Sequence, residues 1–434
     1  MKKNDIIVIL AAGVLLVPLL FFPISLDLSI FASAGKVIAE GGKIYVDYVD
    51  VKPPLIYYIF AGIYALFGWD TFFLRLFDYF WQLAAVISLL IVMKKLLKNK
   101  ATAYISVFIY VFAYIGMNYE NVTQCEGLIA LPSVWLIYLL AIKGNSPAAQ
   151  ITAGMLAGFI TAFKYSFGII ILPILVFDIV YSGNIIEFLK KAGRQAGGFI
   201  AAMLLFSLPL FDPEVHEGFI NLMKYLSFYS NNPPLSIGYL GISIKVIGGY
   251  LGARYSLLLT IAFFCGLYFL LSKNYIAFNK KNEFLFISLF LILSLLASVF
   301  FEKKYYFYHH LRYYLPMVIL TGIGLHEIGR LFLKNSTGYG LRTLILSMFL
   351  VFAIVFGPFV RYGYYALTPY YYFADREKYL TVFDKPSSME DITVEQRKIA
   401  ALLKENLEKN DKLLIMSIES NLLYQMADAG RISK

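Results

Sequence analysis

Cysteine is nearly absent from this chain. Cys125 and Cys265 lie far apart and form no CxxC pair, which excludes a disulfide framework and a cysteine zinc site. Charge is scarce as well, at 15% of 434 residues, against about a quarter in a soluble globular protein. There is no P-loop, no GxGxxG after a strand, no HExxH and no DxD. These absences argue against a soluble enzyme that works on a nucleotide sugar. The chain is apolar instead: hydrophobic residues make up 59%, Tyr and Phe number 34 and 38, and mean hydropathy is +0.69. The formal charge of +10 sits on lysines and arginines in short segments between apolar runs. That pattern points to a membrane and not to nucleic acid.

Eleven apolar runs come near the length a helix needs to cross about 30 Å of hydrocarbon. They are Ile6–Phe22, Leu74–Met93, Thr102–Met117, Gly127–Ile142, Ala148–Phe163, Phe167–Tyr181, Ala196–Phe211, Tyr255–Leu271, Phe284–Phe301, Tyr313–Leu331 and Leu344–Val360. The first is longer than a signal-peptide core, and no small-x-small cleavage site follows it. A further run, Pro54–Gly68, spans only about 15 residues, a length that suits a surface or re-entrant helix. Charge agrees. With that run on the surface, Lys94, Lys95, Lys98 and Lys100, then Lys190, Lys191 and Arg194, then Lys273, Lys280 and Lys281, then Lys334 and Arg342 all fall on the cytoplasmic side. The N-terminus is then inside and the C-terminus outside.

The expected fold is therefore an all-α polytopic protein of the cytoplasmic (plasma) membrane. Residues 1–360 form the membrane domain. Residues 361–434 form a small extracytoplasmic α/β segment that reads as incomplete. In it Thr393–Asn410 is an amphipathic helix, with Ile399, Leu402, Leu403 and Leu407 on one face, and Lys412–Ile418 is a short strand. The outer face carries the loops Pro23–Thr71, Asn118–Glu126, Asp212–Ile242 and Glu302–Arg312. In the first, Ser29–Glu40 has helical spacing and ends at Gly41-Gly42. An extended piece, IYVDYVDV, holds Asp47 and Asp50, and Lys52-Pro53-Pro54 opens a second surface helix.

These residues carry a resemblance. An Asp just after the first span (Asp27), then GGKIYVDYVDVKPPLIYYIFAGIYALFG, then Arg75, strongly resembles the membrane-embedded glycosyltransferases of GT-C type that use polyprenyl-phosphate sugars. These include protein mannosyltransferases, lipid A aminoarabinose transferases and transferases that decorate lipopolysaccharide cores. FKYSFGIIILP, YHHLRYYLP and NDKLLIMSIESNLLYQMADAG are similar to later segments of that family, so the likeness runs over most of the chain. It implies transfer of a sugar from a polyprenyl-phosphate donor to a hydroxyl of a glycan, lipid or protein acceptor. It also implies that Asp27 is the base. Many members have Asp-Glu here, where this chain has Asp27-Leu28.

The chemistry needs those residue types. A carboxylate beside the acceptor hydroxyl takes its proton. Cations belong where the leaving phosphate gains charge; Lys52, Lys164, His309 and Arg312 are the candidates. Asp47, Asp50 and Glu126 are secondary acidic candidates, for the acceptor or for a divalent metal ion. Each has a structural reading too. Asp27 can cap the following helix, the lysines can snorkel, and His309, Arg312 and their tyrosines can form an aromatic belt. On an α-helix Tyr305, His309 and Arg312 share a face. Asn121-Val122-Thr123 and Asn335-Ser336-Thr337 fit the N-glycosylation pattern. The alternative functions are a lipid or polysaccharide transporter or flippase, and a non-catalytic scaffold of the same fold. Against transport, no internal repeat is evident and the spans carry little mid-membrane charge.

The charge pattern makes a topology test direct. Reporter fusions after Lys100 and after Lys281 should read cytoplasmic, and one after Arg376 external; a cytoplasmic reading at Arg376 breaks the scheme.

Overall fold

Long helices make up nearly all of the described chain. The computed structural model describes residues 2–144, 146–230, 237–251, 257–272, 281–334, 358–383, 394–406, 412–413 and 430–431. In order, α1 is Lys3–Leu16, α2 Leu26–Ala39, α3 Pro54–Phe67, α4 Thr71–Leu96, α5 Lys100–Ile115, α6 Cys125–Leu128 and α7 Ala130–Lys143. Then come α8 Pro147–Phe163, α9 Ile171–Tyr181, α10 Ile185–Phe206, α11 Pro213–Ser230, α12 Ile237–Leu251, α13 Leu257–Ser272, α14 Lys281–Glu302 and α15 Tyr314–Lys334. Among the described residues, four segments are long and apolar enough to cross a membrane by length and composition: Lys3–Phe21, Thr71–Leu96, Cys125–Lys143 and Lys281–Glu302. The expected run Leu344–Val360 lies almost wholly outside the described residues. The expected loop Asp212–Ile242 holds α11 and the start of α12 instead. At the C-terminal end, Val394–Asn406 is helical, and Lys412–Leu413 pairs in parallel with Gly430–Arg431; the rest of the expected strand is outside the described residues.

Two contacts orient α1 against α4. At one end the Asp5 carboxylate accepts from Lys94 Nζ and, at 2.9 Å, from the Tyr104 hydroxyl. At the other, Arg75 Nε donates to the Phe22 carbonyl at 3.4 Å. The two helices are thus antiparallel, and the chain between Phe22 and Arg75 leaves and returns at one end of the bundle. In it α2 and α3, 14 residues each, are about 21 Å long, short of the ~30 Å of a hydrocarbon core. Ser25 caps α2, accepting from Leu28 N at 3.4 Å, so the cap reading of Asp27 gives way. Pro54 opens α3, and Gly68, at φ +75°, closes it. The two short helices pack closely: a Cβ at Gly35 would lie 2.7 Å from the Phe60 backbone.

The stretch IYVDYVDV is not a strand. It folds back as a turn, with the Asp47 carboxylate accepting from Lys43 N at 2.7 Å, Tyr45 at φ +69° and an isolated bridge between Ile44 and Tyr48.

Arg75 holds the site end together. Its side chain is fully buried. It donates to the carbonyls of Phe22, Pro23 and Tyr119 and, at 2.6 Å, to Thr123 Oγ1. Thr123 passes its own proton to Asp78 at 2.7 Å, and Asp78 also accepts from Tyr114 and Gln82. This chain of bonds keeps Thr123 at φ +62°, a conformation costly for a β-branched residue. It also buries Asn121, whose amide donates to Met117 O, so the sequon at Asn121 offers no exposed glycosylation site. Arg75→Ala should lower stability by about 3–5 kcal/mol, the cost of breaking a buried ionic network. Arg75→Lys should recover only part, because one ammonium cannot serve the fork of acceptors. The check is the thermal melt in detergent, and an unchanged melt for Arg75→Ala contradicts this role.

Candidate functional site

Asp27 stands in the first turn of α2, four residues past the Pro23 carbonyl that Arg75 grips. It is half-buried and lies near the Tyr308 hydroxyl. Burial and then the Asp27 charge push the Tyr308 phenol well above its ordinary range, so it stays a donor. Lys52 lies nearby. Its Nζ is 3.9 Å from Asp50 Oδ2 and 4.5 Å from the Phe31 ring centre. Burial opposes the ammonium charge, but the carboxylates of Asp50 and then Asp27 outweigh it and hold Lys52 charged, above the ordinary lysine value. Local bonds fix the lysine backbone: Lys52 N donates to the Tyr57 hydroxyl at 3.0 Å, Tyr57 donates to Asp50 at 2.6 Å, and Tyr45 donates to Lys52 O at 2.6 Å.

Behind this pair lies an ionic cluster built from four segments. Glu126 comes from α6, Lys164 from the residue after α8, Glu302 from the end of α14, and His309 and Arg312 from the 3-10 segment Phe307–Tyr313. Lys164 Nζ donates at 2.8 Å to Glu126 and at 2.8 Å to Glu302. Arg312 donates at 2.9 Å to Glu126, at 2.7 Å to Glu302 and at 2.6 Å to Ser298. Ser166 also donates to Glu302. Two carboxylates therefore face two permanent cations, as a buried ionic group requires. Burial, with Lys164 beside it, lowers His309 to about 4, so its imidazole is neutral at pH 7.

Of the candidates, the structure brings Glu126, Lys164, His309 and Arg312 together and sets Asp27, Asp50 and Lys52 beside them. Asp47 is elsewhere, exposed and occupied with its own turn. Tyr305 does not share a face with His309 and Arg312, as an α-helix would require. Tyr305 lies before the 3-10 segment, which begins at Phe307 and aligns 309 with 312, and it bonds Tyr239 and Ser243 instead. The sequence reading also passes over Tyr308 and Glu302. Glu302 stands beside Lys303 and Lys304 and looks like any charged helix end. Its signal is position, at the last residue of a long apolar run and inside the same loop as His309.

Beside Asp50 a cavity of about 460 Å³ opens between the first loop and α11, lined by Tyr45, Val49, Asp50, Asn221, Leu222 and Tyr225. Ion pairs from Lys43 to Asp212 and Glu214, at 2.8 and 2.9 Å, hold α11 over the loop. Among the described residues, Glu126, Glu302 and His309 form a group that could hold a metal ion, with ligand atoms within 4.8 Å of one another.

Residues 51–211 match the model of a family described as dolichyl-phosphate-mannose-protein mannosyltransferase. No curated protein sequence matches the chain. Among solved structures it is similar to ArnT from Cupriavidus metallidurans bound to undecaprenyl phosphate, at 12% identity and a TM-score of 0.62, over 100% of this chain and 86% of that one. It is also similar to the Archaeoglobus fulgidus oligosaccharyltransferase tethered with an acceptor peptide, at 11% identity and a TM-score of 0.55, over 99% and 64%. The same oligosaccharyltransferase in complex with zinc and sulfate gives 11% identity and a TM-score of 0.54, over 98% and 62%. This chain thus spans less than two thirds of the oligosaccharyltransferase. The family segment includes Lys52, Glu126 and Lys164, and the structural likeness extends over the whole chain. The fold is thus shared with ArnT and the oligosaccharyltransferase, and the family match covers the segment that holds the KPPL block of the first loop.

Proposed function

We propose that this chain moves a sugar from a polyprenyl-phosphate donor to an acceptor hydroxyl at the outer face of the plasma membrane. The N-terminus lies inside, residues 1–360 form the membrane domain with eleven spans, and residues 361–434 lie outside. Asp27 is the general base and Lys52 the cation nearest the leaving phosphate. Lys164 and Arg312 stand behind it with their charges matched by Glu126 and Glu302, and neutral His309 orients Lys164. In the reaction the acceptor oxygen bonds to the anomeric carbon while the bond from that carbon to the phosphate oxygen breaks. The hydroxyl proton passes to Asp27, and the electron pair leaves with the polyprenyl phosphate.

One observation carries this reading. A half-buried carboxylate and a charged lysine share one neighbourhood, each fixed by other residues rather than by a salt bridge to the other. Asp27 is held by its place in the first turn of α2, and Lys52 by Tyr45 and Tyr57. The cavity beside Asp50 is where the acceptor approaches.

Asp27→Asn tests the base. Asparagine keeps the size, and Ser25 keeps the cap, so the melt should shift by about 1 kcal/mol or less, the helix-dipole contribution. Sugar transfer from a polyprenyl-phosphate donor should fall by about two orders of magnitude or more. Near-normal transfer by a well-folded Asp27→Asn protein removes Asp27 from the mechanism.

A further inference from the structure

Lys164 occupies an unusual position. Its Nζ lies 2.8 Å from Glu126 Oε1, 2.8 Å from Glu302 Oε2 and 3.2 Å from His309 Nε2. Two carboxylate oxygens and an imidazole nitrogen thus converge on one cation. The histidine is oriented as a ligand is. Its Nδ1 faces the Lys304 carbonyl at 2.5 Å, an oxygen that can only accept, so the proton is on Nδ1 and the Nε2 lone pair points at Lys164. A metal-binding histidine has that arrangement, with its second nitrogen donating to a carbonyl. The two spacings from the histidine come near those of a metal site as well. His309 Nε2 is 3.4 Å from Glu302 Oε2 and 3.8 Å from Glu126 Oε1. Two ligands about 2.1 Å from one tetrahedral zinc ion stand about 3.4 Å apart.

We infer that Glu126, Glu302 and His309 form a divalent-cation site of the zinc class whose position the protein fills with its own lysine ammonium. The charges account for the choice. Glu126 and Glu302 supply two negative charges, and Lys164 with Arg312 supplies two positive ones. A divalent ion added beside Lys164 would leave two uncompensated positive charges where Glu126 and Arg312 are fully enclosed. The ammonium also makes longer bonds than a metal, about 2.8 Å against about 2.1 Å, so the three ligands stand slightly open and the site prefers the lysine. Removing Lys164 leaves three oriented ligands, one net negative charge and room at the centre, the conditions for metal uptake.

The test uses the full chain in detergent with Co²⁺ as probe, since its d–d absorption reports tetrahedral coordination. Lys164→Ala should bind about one Co²⁺ per chain with that absorption and a raised melting temperature, and Lys164→Ala/His309→Ala should lose it. Wild-type protein should bind none at this site, and its melt should move with neither Co²⁺ nor a chelator. Should Lys164→Ala fold only with Co²⁺ in the buffer, the inference stands. Failure to fold or to bind with Co²⁺ present overturns it, as does stoichiometric Co²⁺ uptake by the wild type that Glu302→Gln abolishes.

Discussion

A guanidinium cannot shed its proton in a protein, and Arg75 carries one fully out of water. Its surroundings must therefore supply acceptors, and the acceptors come from the parts of the chain that set the site. The Phe22 and Pro23 carbonyls fix where the chain leaves α1, and so where α2 begins and Asp27 stands. The Tyr119 carbonyl and Thr123 fix the approach to α6, and so where Glu126 stands. One buried charge thus sets the spacing between the carboxylate of the first loop and the carboxylate of the ionic cluster. Asp78 balances it without touching it, through Thr123.

The two charged groupings at this end differ in kind. Around Glu126 every permanent charge has a partner of opposite sign within about hydrogen-bond length, so that grouping behaves as closed structure. Around Lys52 the contacts are looser: Asp50 is 3.9 Å away, and the lysine rests on the face of Phe31. A loosely held ammonium can turn to an incoming anion at little cost, whereas Lys164 would have to leave two short bonds first. Tyr308, next to His309 in the chain and packed on its ring, lies between the closed grouping and Asp27.

Much of this was legible in the sequence, for identifiable reasons. The length of Pro54–Phe67 and the proline at its first turn mark a short helix. Asp27 and Lys52 stand out because a charge between long apolar runs is costly and so carries information. What was hidden depends on chain pairing or local geometry. The alternation in IYVDYVDV suggests extension, but the Asp47 carboxylate closes a turn on Lys43 N, a bond with no periodic signature. Tyr305 falls off the expected face because the helix begins only at Phe307, a start that so short a stretch does not signal. Arg75, visible as a family landmark, gains its role only when Thr123, from another helix connection, reaches it.

The most direct test of the account is to locate the phosphate. In a cryo-EM map of the protein with a polyprenyl phosphate bound, the phosphate oxygens should lie about 2.7–2.9 Å from Lys52 Nζ, the length of a charge-assisted bond. Asp27 should face the side on which the sugar would stand, and the ion pairs of Lys164 with Glu126 and Glu302 should remain. A phosphate held by Arg312 or Lys164 with those pairs broken, and Lys52 still resting on Phe31 beside Asp50, would contradict the account.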